Sequence, residues 1–473
     1  MVMGSLRQET QVAVIGSGPG GYVAALRLAD LGKEVVLIEE RPRFGGTCLL
    51  EGCIPSKTLI HAVEVKENAL AAADFGFAFA APVLDLDKLR AHTGKIVQGL
   101  SHGVTSLLKR RGVTTVQGRA RFSSSRSLEI EGGEVAGIDY EQCVIATGSS
   151  LTRLPSGITP KVWSSADALQ LQQVPPTLLV VGGGYIGLEL GLVYQGLGSR
   201  VSVVEFNPRL LAGADHDLVD VMVDAVSHRL DQVMLETKVT AINETQDGRF
   251  RVQLEQAGRE MTREFDMVLV AIGRRPNTED LGLEHTRVKV GEHGFIRTDR
   301  ECRTDDPAIF AIGDVTAGPM LAHKASREAR VAAEVICGRP AEFDNRAIPA
   351  VVYTDPEIAW TGLTEREATA QNIPIKVGRF PLSALGRART LDRTAGLVKV
   401  IYDPENELIL GMGIVGPHAS ELIAEGTLAI EMGATIEDLV ATIHPHPTLS
   451  EALMEAAEAA QGAAIHIHPP RQP

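Results

Sequence analysis

The stretch Val12-Ala-Val-Ile-Gly-Ser-Gly-Pro-Gly-Gly21 is an apolar strand pattern that runs directly into a glycine-rich turn. An alanine-rich helical pattern follows it, and a second apolar run ends at Glu39. This order is the fingerprint of a βαβ dinucleotide-binding unit, in which Gly16 allows the tight turn and Gly18 lets the backbone approach a pyrophosphate. Gly21 lets the helix pack against the sheet. The helix N-terminus then offers N–H groups to the phosphates, and Glu39 can accept both hydroxyls of a ribose.

The same unit recurs in the middle of the chain. The apolar run 178–181 leads into Gly182-Gly-Gly-Tyr-Ile-Gly187, and the run 201–204 ends at Glu205. In both copies the acid follows the first glycine by 23 residues, and a later apolar run ends in a glycine, Gly148 or Gly273. Two matched copies are a far more specific signal than one glycine triplet. Extra material in the first copy, with helical periodicity at 61–70 and 86–108, indicates inserted helices.

The composition indicates an intracellular enzyme of about three domains. An odd number of cysteines, five in 473 residues, argues against a secreted disulfide framework. The net charge of −14 disfavours nucleic acid and anionic membranes, and no long apolar run suggests a membrane span or signal segment, so we expect a cytoplasmic protein. Residues 1–10 are interpreted as a disordered lead-in. Cys143 is expected in the core, Cys302 and Cys337 are given no chemistry, and no metal site is expected.

Two thiols stand close together in Cys48-Leu-Leu-Glu-Gly-Cys53. A disulfide needs Cα atoms within about 7 Å, and two residues five apart in a regular helix already exceed that separation along the axis. The pair can therefore bridge only where the segment is distorted, which Gly52 and Pro55 favour. The small ring that such a disulfide would close is more typical of a catalytic dithiol than of a structural disulfide. The alternative is two unrelated buried cysteines.

Two dinucleotide sites and one dithiol imply an electron relay. The economical assignment is one flavin that is held permanently and one nicotinamide that exchanges. Glu205 favours NAD, because it would repel the 2′-phosphate of NADP. Arg200 and Arg209 lie near that acid, so NADP stays the alternative.

Beyond these units, the motifs match a known family over nearly the whole chain. They are Gly16–Tyr22, Gly46–Cys48, Cys53–Lys57, Ala146–Ser149, Gly182–Glu189, Ala271–Asn277, Phe310–Asp314, Gly318–Lys324, Tyr353–Glu357 and His444–Glu451. The sequence resembles the pyridine nucleotide-disulfide oxidoreductases and, among them, the dihydrolipoamide dehydrogenases. Leu50 and Glu51 depart from the Asn-Val common in the family, which affects the substrate side of the thiol motif rather than the chemistry.

The resemblance implies a role for each matched position. Cys48 would be the thiol attacked by substrate and Cys53 the thiol beside the flavin, while Lys57 would serve either the FAD pyrophosphate or the ring. Asp314 would bind the ribityl or phosphate region of FAD, and Glu189 would lie near the junction of flavin and nicotinamide. The implied cofactor-binding residues are Gly16, Gly18, Gly20, Gly21, Glu39, Thr47, Lys57, Gly118, Thr147, Gly148, Ser149, Gly182, Gly184, Tyr185, Ile186, Gly187, Glu189, Glu205, Ala271, Gly273, Arg274, Gly313, Asp314, Met320, Leu321, Ala322 and His323. Of these, residues 271–274 would line the NAD side, and the backbone around residue 322 would lie near the flavin ring.

The C-terminal motif contains a candidate base. A dithiol substrate must lose a proton before it attacks a disulfide, and a histidine oriented by a carboxylate can accept that proton. His446 and Glu451 supply such a pair. The alternative for Glu451 is a capping box with Thr448 at the start of the C-terminal helix, and both roles are compatible. His444 is interpreted as a structural histidine.

The family also implies an architecture and partners. We expect an α/β fold with two Rossmann-like domains and a C-terminal α+β dimerisation domain, divided at residues 1–150 (FAD), 151–276 (NAD), 277–346 (central) and 347–473 (dimerisation). The last part should hold strands near 398–402 and 408–415 and helices at 421–432 and 449–460. In the family the base comes from the partner subunit, which implies a homodimer with shared sites.

The expected activity is oxidation of protein-bound dihydrolipoamide by NAD through the thiol pair and FAD. The lipoyl group would come from a separate protein, the lipoyl domain of an E2 acyltransferase or an H-protein. One alternative is reduction of another disulfide such as glutathione, or of a metal ion. A second alternative is a redox-inactive nucleotide-binding scaffold.

Overall fold

The structure, a computed structural model, describes residues 6–152, 157–159 and 161–468. The chain divides into two compact units. Unit 1 comprises Met1–Arg153, Ser165–Gln172 and Ile272–Asp344, and unit 2 comprises Leu154–Ser164, Gln173–Ala271 and Asn345–Pro473.

Helices and strands alternate along most of the chain. The helices are α1 Pro19–Asp30, α2 Gly46–Glu51, α3 Cys53–Ala71, α4 Leu86–Arg110, α5 Ser165–Leu169, α6 Tyr185–Leu197, α7 His216–Val226, α8 Ala322–Ile336, α9 Glu365–Gln371, α10 Gly386–Thr390, α11 Ala419–Met432, α12 Ile436–Ala441 and α13 Glu451–Gln461. The strands are β1 Arg7–Ile15, β2 Val35–Glu39, β3 Thr114–Gln117, β4 Arg119–Ser124, β5 Ser127–Glu131, β6 Gly137–Ile145, β7 Ser149–Leu151, β8 Thr177–Val181, β9 Arg200–Val204, β10 Gln232–Met234, β11 Thr237–Glu244, β12 Phe250–Gln256, β13 Arg259–Phe265, β14 Met267–Val270, β15 Arg274–Pro276, β16 Ile309–Ala311, β17 Ala350–Val352, β18 Glu357–Gly362, β19 Lys376–Pro381, β20 Leu397–Tyr402 and β21 Ile409–Gly416.

Unit 1 is built on a seven-stranded sheet of order β3-β2-β1-β6-β5-β4, with β16 added beside β6. Strands β3, β2, β1, β6 and β16 run parallel, whereas β5 pairs antiparallel with both of its neighbours, β6 and β4. Val12 and Val14 contribute to the core on one face of β1, and Ala13 and Ile15 to the core on the other. A strand buried on both faces reads as a continuous apolar run, which is why this segment dominates the sequence pattern. The carboxyl ends of β1 and β2 thereby present the glycine turn and Glu39 at one edge.

The predicted inserted helices are confirmed as α3 and α4. Helix α3 extends further than its periodicity suggested, because it begins at Cys53. Helix α4 begins after Asp85, whose side chain accepts the Lys88 N–H at 3.0 Å. The insertion therefore starts within the thiol motif itself.

The prediction that residues 1–10 form a disordered lead-in is wrong for residues 7–10. These residues begin β1 and pair in parallel with residues 137–140 of β6. Arg7 forms an ion pair with Asp139 at 2.7 Å, and Thr10 is buried. The segment is polar because it forms the outer end of the strand, so it lacks the apolar signal of residues 12–15. Residues 1–5 lie outside the described part of the chain.

Unit 2 contains the second βαβ unit in a parallel sheet of order β10-β9-β8-β14. A three-stranded antiparallel sheet, β11-β12-β13, follows β10 in the chain. The C-terminal part forms a five-stranded antiparallel sheet of order β17-β18-β21-β20-β19, and its core also includes residues of α11, α12 and α13. The predicted C-terminal strands and helices are confirmed as β20, β21, α11 and α13.

The expected class is confirmed: an α/β fold with two βαβ nucleotide units and a C-terminal α+β part. Within the described residues, no helix combines the length and the apolar character needed to span a membrane.

Candidate functional site

The first glycine fingerprint leaves bare backbone between β1 and α1. Gly16 has φ +99°, a region that side-chain-bearing residues avoid. A Cβ on Gly21 would lie 1.8 Å from the Gly16 carbonyl oxygen, so no side chain fits there. Helix α1 starts after Gly18, and no described side chain caps it. Its first N–H groups, in the turn that includes Gly20, therefore remain for an anionic ligand.

Glu39 is held at the end of β2 by donors from Ser17 and Arg41. Its Oε2 accepts the Ser17 N–H at 2.9 Å and the Ser17 hydroxyl at 2.5 Å, and its Oε1 accepts the Arg41 N–H at 3.0 Å. The Gly118 N–H donates to the Glu39 carbonyl oxygen at 2.9 Å. A fixed carboxylate beside a glycine cradle that no Cβ could enter fits the ribose and pyrophosphate of an adenine dinucleotide. These residues of unit 1 therefore fit FAD.

The two thiols lie at a break between α2 and α3. Cys48 is the third residue of α2, and Cys53 is the first residue of α3. A Cβ on Gly52 would lie 2.9 Å from the Thr47 carbonyl oxygen, so the break accommodates only a glycine. The hydrogen bond with Cys53, followed by burial, raises the pKa of the Cys48 thiol, and the charge of Lys57 opposes that rise. The expected distortion is confirmed, and it brings the two thiols into contact.

Thr147 and Gly148 are held by Asn277 from a distant part of the chain. The Thr147 hydroxyl donates to the Asn277 carbonyl oxygen at 2.8 Å, and the Asn277 side-chain amide donates to the Thr147 carbonyl oxygen at 2.9 Å. The Asn277 N–H also donates to the Gly148 carbonyl oxygen at 2.9 Å. The loop after β6 is therefore held in place beside the glycine turn, because the Ala146 N–H donates to Ile15.

Ser149 links two other predicted residues of unit 1. Its hydroxyl donates to Asp314 Oδ2 at 2.5 Å and accepts from Arg274 Nε at 2.8 Å. Arg274 was predicted to line the NAD side, and here its guanidinium also contacts the Ser149 carbonyl oxygen at 2.5 Å. Asp314 lies in the short helical turn Gly313–Val315. Of the remaining predicted residues, Met320 and Leu321 precede α8, whereas Ala322 and His323 open it.

The second fingerprint repeats the geometry of the first within unit 2. Gly182 has φ +109°, and a Cβ on Gly187 would lie 2.1 Å from the Gly182 carbonyl oxygen. Helix α6 begins with Tyr185 and Ile186 after Gly184, and no described side chain caps it. This turn therefore fits the pyrophosphate of a second dinucleotide.

Glu205 is fixed in the same way as Glu39. Its Oε2 accepts the Gly183 N–H at 2.6 Å, and its Oε1 accepts the Asn207 N–H at 2.8 Å and the Asn207 side-chain amide at 2.6 Å. Arg209, one of the two arginines on which the NADP alternative rests, pairs instead with Asp220 at 2.8 Å. The arrangement favours the free ribose hydroxyls of NAD.

Three further predicted residues have structural partners. Glu189 is buried in α6, and its Oε1 accepts the Tyr353 N–H at 3.1 Å. The Ala271 N–H donates to the Val181 carbonyl oxygen at 2.8 Å, directly after β14. The Gly273 carbonyl oxygen accepts the Thr152 N–H at 3.1 Å in unit 1. Their cofactor roles stay predictions.

His446 and Glu451 form a hydrogen-bonded pair in unit 2. His446 Nδ1 lies 2.9 Å from Glu451 Oε1, and the imidazole is 79% exposed. Glu451 Oε2 accepts the Thr448 N–H at 2.7 Å, but α13 begins at Glu451 itself and no described side chain caps it, so the expected capping box is not formed. Although burial opposes it, this N–H and His446 together lower the pKa of Glu451. One carboxylate thus binds both the backbone that precedes the helix and the histidine.

His444 differs from His446 in both burial and partners. Its side chain is 4% exposed, Nδ1 lies 2.8 Å from the Thr442 carbonyl oxygen, and Nε2 lies 2.9 Å from Glu425 Oε1. Both ring nitrogens are engaged within the chain, which agrees with the structural interpretation.

One acidic cluster in unit 2 has the arrangement of metal ligands. Oxygen atoms of Asp215, Asp217 and Glu365 all lie within 4.8 Å of one another. The ammonium of Lys399 lies among them, at 2.7 Å from Asp215, 2.8 Å from Asp217 and 2.7 Å from Glu365. The cluster is therefore an ion-pair network around the buried ammonium of Lys399.

Sequence reasoning missed several residues that shape these sites. Ser17 and Asn207 donate hydrogen bonds to Glu39 and Glu205, the acids expected to bind ribose. Asn277 holds the loop after β6. Asn207 lies two residues after Glu205, as Arg41 lies two residues after Glu39 in the first copy, and this equivalence is the signal that could have identified it. Lys324 and Glu328 form a buried pair beside Asp314. Lys324 ends the matched motif Gly318–Lys324, and the signal for the pairing was the spacing of four residues on a helix.

The comparisons with known proteins agree with this geometry. The family "Pyridine nucleotide-disulphide oxidoreductase" matches residues 10–329, and the dimerisation domain of the same family matches residues 348–457. A dihydrolipoyl dehydrogenase from Thermus scotoductus is 48% identical to this chain over 96% of it and 98% of the relative. A dihydrolipoyl dehydrogenase from Vibrio parahaemolyticus is 45% identical over 96% of both chains.

Solved structures show the same likeness. LpdA from Mycobacterium tuberculosis superposes with a TM-score of 0.87 at 28% identity, covering 95% of this chain and 99% of its own. RclA from Escherichia coli, described as an HOCl-induced flavoprotein disulfide reductase, superposes with a TM-score of 0.83 at 27% identity and the same coverage.

Proposed function

Because the chain belongs to the pyridine nucleotide-disulphide oxidoreductases, we propose that it is a dihydrolipoyl dehydrogenase that oxidises protein-bound dihydrolipoamide with NAD as acceptor. The observation that carries this proposal is the contact between the thiols of Cys48 and Cys53, made at a glycine break next to the first nucleotide fingerprint. The relatives that bear this name match nearly the full length of the chain.

Two cofactors fit the two glycine fingerprints. FAD would be held by the turn at Gly16, by Glu39 and by Asp314, and NAD by the turn at Gly182 and by Glu205. Bound FAD supplies the two-electron chemistry that connects a dithiol with a nicotinamide. The protein residues supply the binding, the orientation and the proton transfer.

Thiol–disulfide exchange is the part of the reaction that these side chains perform themselves. A thiolate of the substrate attacks Cys48 Sγ of the oxidised pair, the Cys48–Cys53 bond breaks, and Cys53 leaves as a thiolate. The second substrate thiolate then attacks the mixed disulfide, which releases the cyclic lipoyl disulfide and leaves both cysteines reduced. Two electrons thus move from the substrate dithiol to the protein dithiol.

His446 is the proposed base for this exchange. Glu451 orients its Nδ1, so Nε2 of the exposed ring is the nitrogen that accepts a substrate proton. The C-terminal part matches the dimerisation domain of the family, and the chain forms a homodimer. We propose that His446 acts on the thiol pair of the partner subunit, which is consistent with its exposure in a single chain.

The proposed partner is a lipoyl domain of a 2-oxo acid dehydrogenase E2 or an H-protein, and the proposed location is the cytoplasm. The direct test is a steady-state assay of the purified protein with lipoyl domain or dihydrolipoamide and NAD, against glutathione and NADP. Turnover confined to the lipoyl substrates with NAD supports the proposal. Turnover confined to glutathione with NADPH would replace it with the alternative disulfide reductase.

A further inference from the structure

A buried ion pair lies beside the turn that carries Asp314. Lys324 Nζ is 2.9 Å from Glu328 Oε1, one turn apart on α8, and the two side chains are 3% and 8% exposed. The turn Gly313–Val315 follows β16 and precedes α8 in the same unit.

The pair binds both backbone polar groups of Gly313. Glu328 Oε2 accepts the Gly313 N–H at 2.6 Å, and Lys324 Nζ donates to the Gly313 carbonyl oxygen at 3.2 Å. Thr316 completes the arrangement, because its hydroxyl accepts from Lys324 at 2.9 Å and lies 2.8 Å from the Gly313 carbonyl oxygen. Charged partners make these bonds stronger and better oriented than neutral ones.

Stability alone is a poor explanation for this pair. Burial is the main cause that raises the pKa of Glu328, with Lys324 opposing it, so the charge is costly where it stands. Lys324 also places a cation in the first turn of a helix, where the dipole disfavours positive charge. Apolar residues of similar volume would often stabilise such a site at least as well.

We propose that Lys324 and Glu328 are positioning residues that hold the Gly313–Asp314 turn so that the Asp314 carboxylate is placed to bind FAD. The proposal rests on the FAD role of Asp314 given under the proposed function. The carboxylate is aligned from the other side by Ser149, which donates to Oδ2 at 2.5 Å. The ion pair thus orders the backbone of the turn, and Ser149 orders its side chain.

The test compares holoenzyme variants by the rate of FAD release, the main visible absorption band of bound flavin, and the melting temperature. Lys324→Met leaves Glu328 buried without its partner, and it should lower the melting temperature and speed FAD release. The double variant K324M/E328Q leaves no unpaired charge, so its melting temperature should recover. Its FAD release should still be at least about tenfold faster than in the wild type, with a shifted flavin band, because bonds to charged groups at Gly313 are lost.

The matched control is Glu334→Gln on the same helix. Glu334 binds Arg27 of α1 at 2.8 Å and makes no described contact with the turn, so FAD release should stay within twofold of wild type. Release within twofold in the double variant, or an equal acceleration in the control, would overturn the proposal. Asp314→Asn tests separately whether Asp314 binds FAD. Unchanged FAD release in this variant would show that Asp314 is not an FAD ligand, and it would also overturn the positioning role of Lys324 and Glu328.

Discussion

Glu39 and Glu205 hold equivalent positions in the two nucleotide units. One carboxylate oxygen of each accepts a hydrogen bond from the backbone N–H of the residue that follows the first glycine of the fingerprint. The distances are 2.9 Å to Ser17 and 2.6 Å to Gly183. In both units the other oxygen accepts the N–H of the residue two positions after the acid. The internal repeat therefore extends from the spacing of the sequence to individual hydrogen bonds, and it predicts that each acid serves one dinucleotide.

Glu205→Ala should weaken NAD binding without affecting FAD. Loss of hydrogen bonds from a carboxylate to ribose hydroxyls should raise the KM for NAD by about tenfold to a hundredfold. Steady-state kinetics against NAD and NADP, with FAD content measured from absorbance, provide the check. Glu39→Ala is the matched control, and it should lower FAD content instead. A Glu205→Ala enzyme with unchanged KM for NAD would contradict the assignment of the second unit.

Cys53→Ser should retain FAD and lose lipoamide turnover. The thiol exchange needs both sulfurs of the pair, whereas the glycine cradle and Glu39 do not depend on them. Turnover of dihydrolipoamide with NAD and the FAD-to-protein ratio measure the two properties separately. Cys337→Ser, a partly buried thiol with no assigned chemistry, serves as the control and should keep activity. Near-normal turnover in Cys53→Ser would refute the redox role of the pair.

Local spacing allowed the sequence to predict much of the site. Glu39 and Glu205 follow from strand–turn–helix–strand geometry, which is contiguous in the chain. Contact between Cys48 and Cys53 follows from one glycine that interrupts a helix. These features depend on residues within a few tens of positions along the chain, so local sequence patterns are enough to predict them.

The unpredicted features depend on contacts between distant segments. Asn277 holds Thr147 from 130 residues away in the sequence, and no local sequence pattern at either residue predicts this hydrogen bond. The bonds from Lys324 and Glu328 to Gly313 arise only when α8 packs beside the turn. Arg7 belongs to a strand because its segment pairs with residues 137–140 of β6, where Asp139 also binds its side chain, and not because the segment is apolar.

His446→Gln should reduce turnover by about 10²- to 10⁴-fold, the usual contribution of a general base. Glu451→Gln should cost about tenfold to a hundredfold, because a charge-assisted hydrogen bond to the ring is weakened. The check is kcat with dihydrolipoamide in each variant. His444→Gln is the control: its ring is buried and bonded within the chain, so its melting temperature should fall while kcat changes less than tenfold. A loss under tenfold in His446→Gln would dismiss the assignment of the base.

Lys399→Met should destabilise unit 2 by up to about 3–5 kcal/mol, because it removes the buried cation that three carboxylates share, although Arg379 still pairs with two of them. Lys161→Met, which removes an exposed ion pair with Glu244, should cost at most about 1 kcal/mol.

The pKa of Asp217 is lowered: burial opposes that shift, and hydrogen bonds from Lys399 and Arg379 outweigh it. Its contribution to stability is therefore complete above the ordinary aspartate pKa and is lost as the pH falls through the lowered value. The pKa of Lys399 is raised because its carboxylate partners outweigh burial, so its contribution is complete below the ordinary lysine pKa and is lost as the pH rises through the raised value. Denaturant unfolding of wild type and Lys399→Met across this pH range should show that the variant lacks the alkaline dependence and keeps a weaker acid dependence, because Arg379 still pairs with Asp217. A variant with the wild-type pH profile would contradict the role of the network.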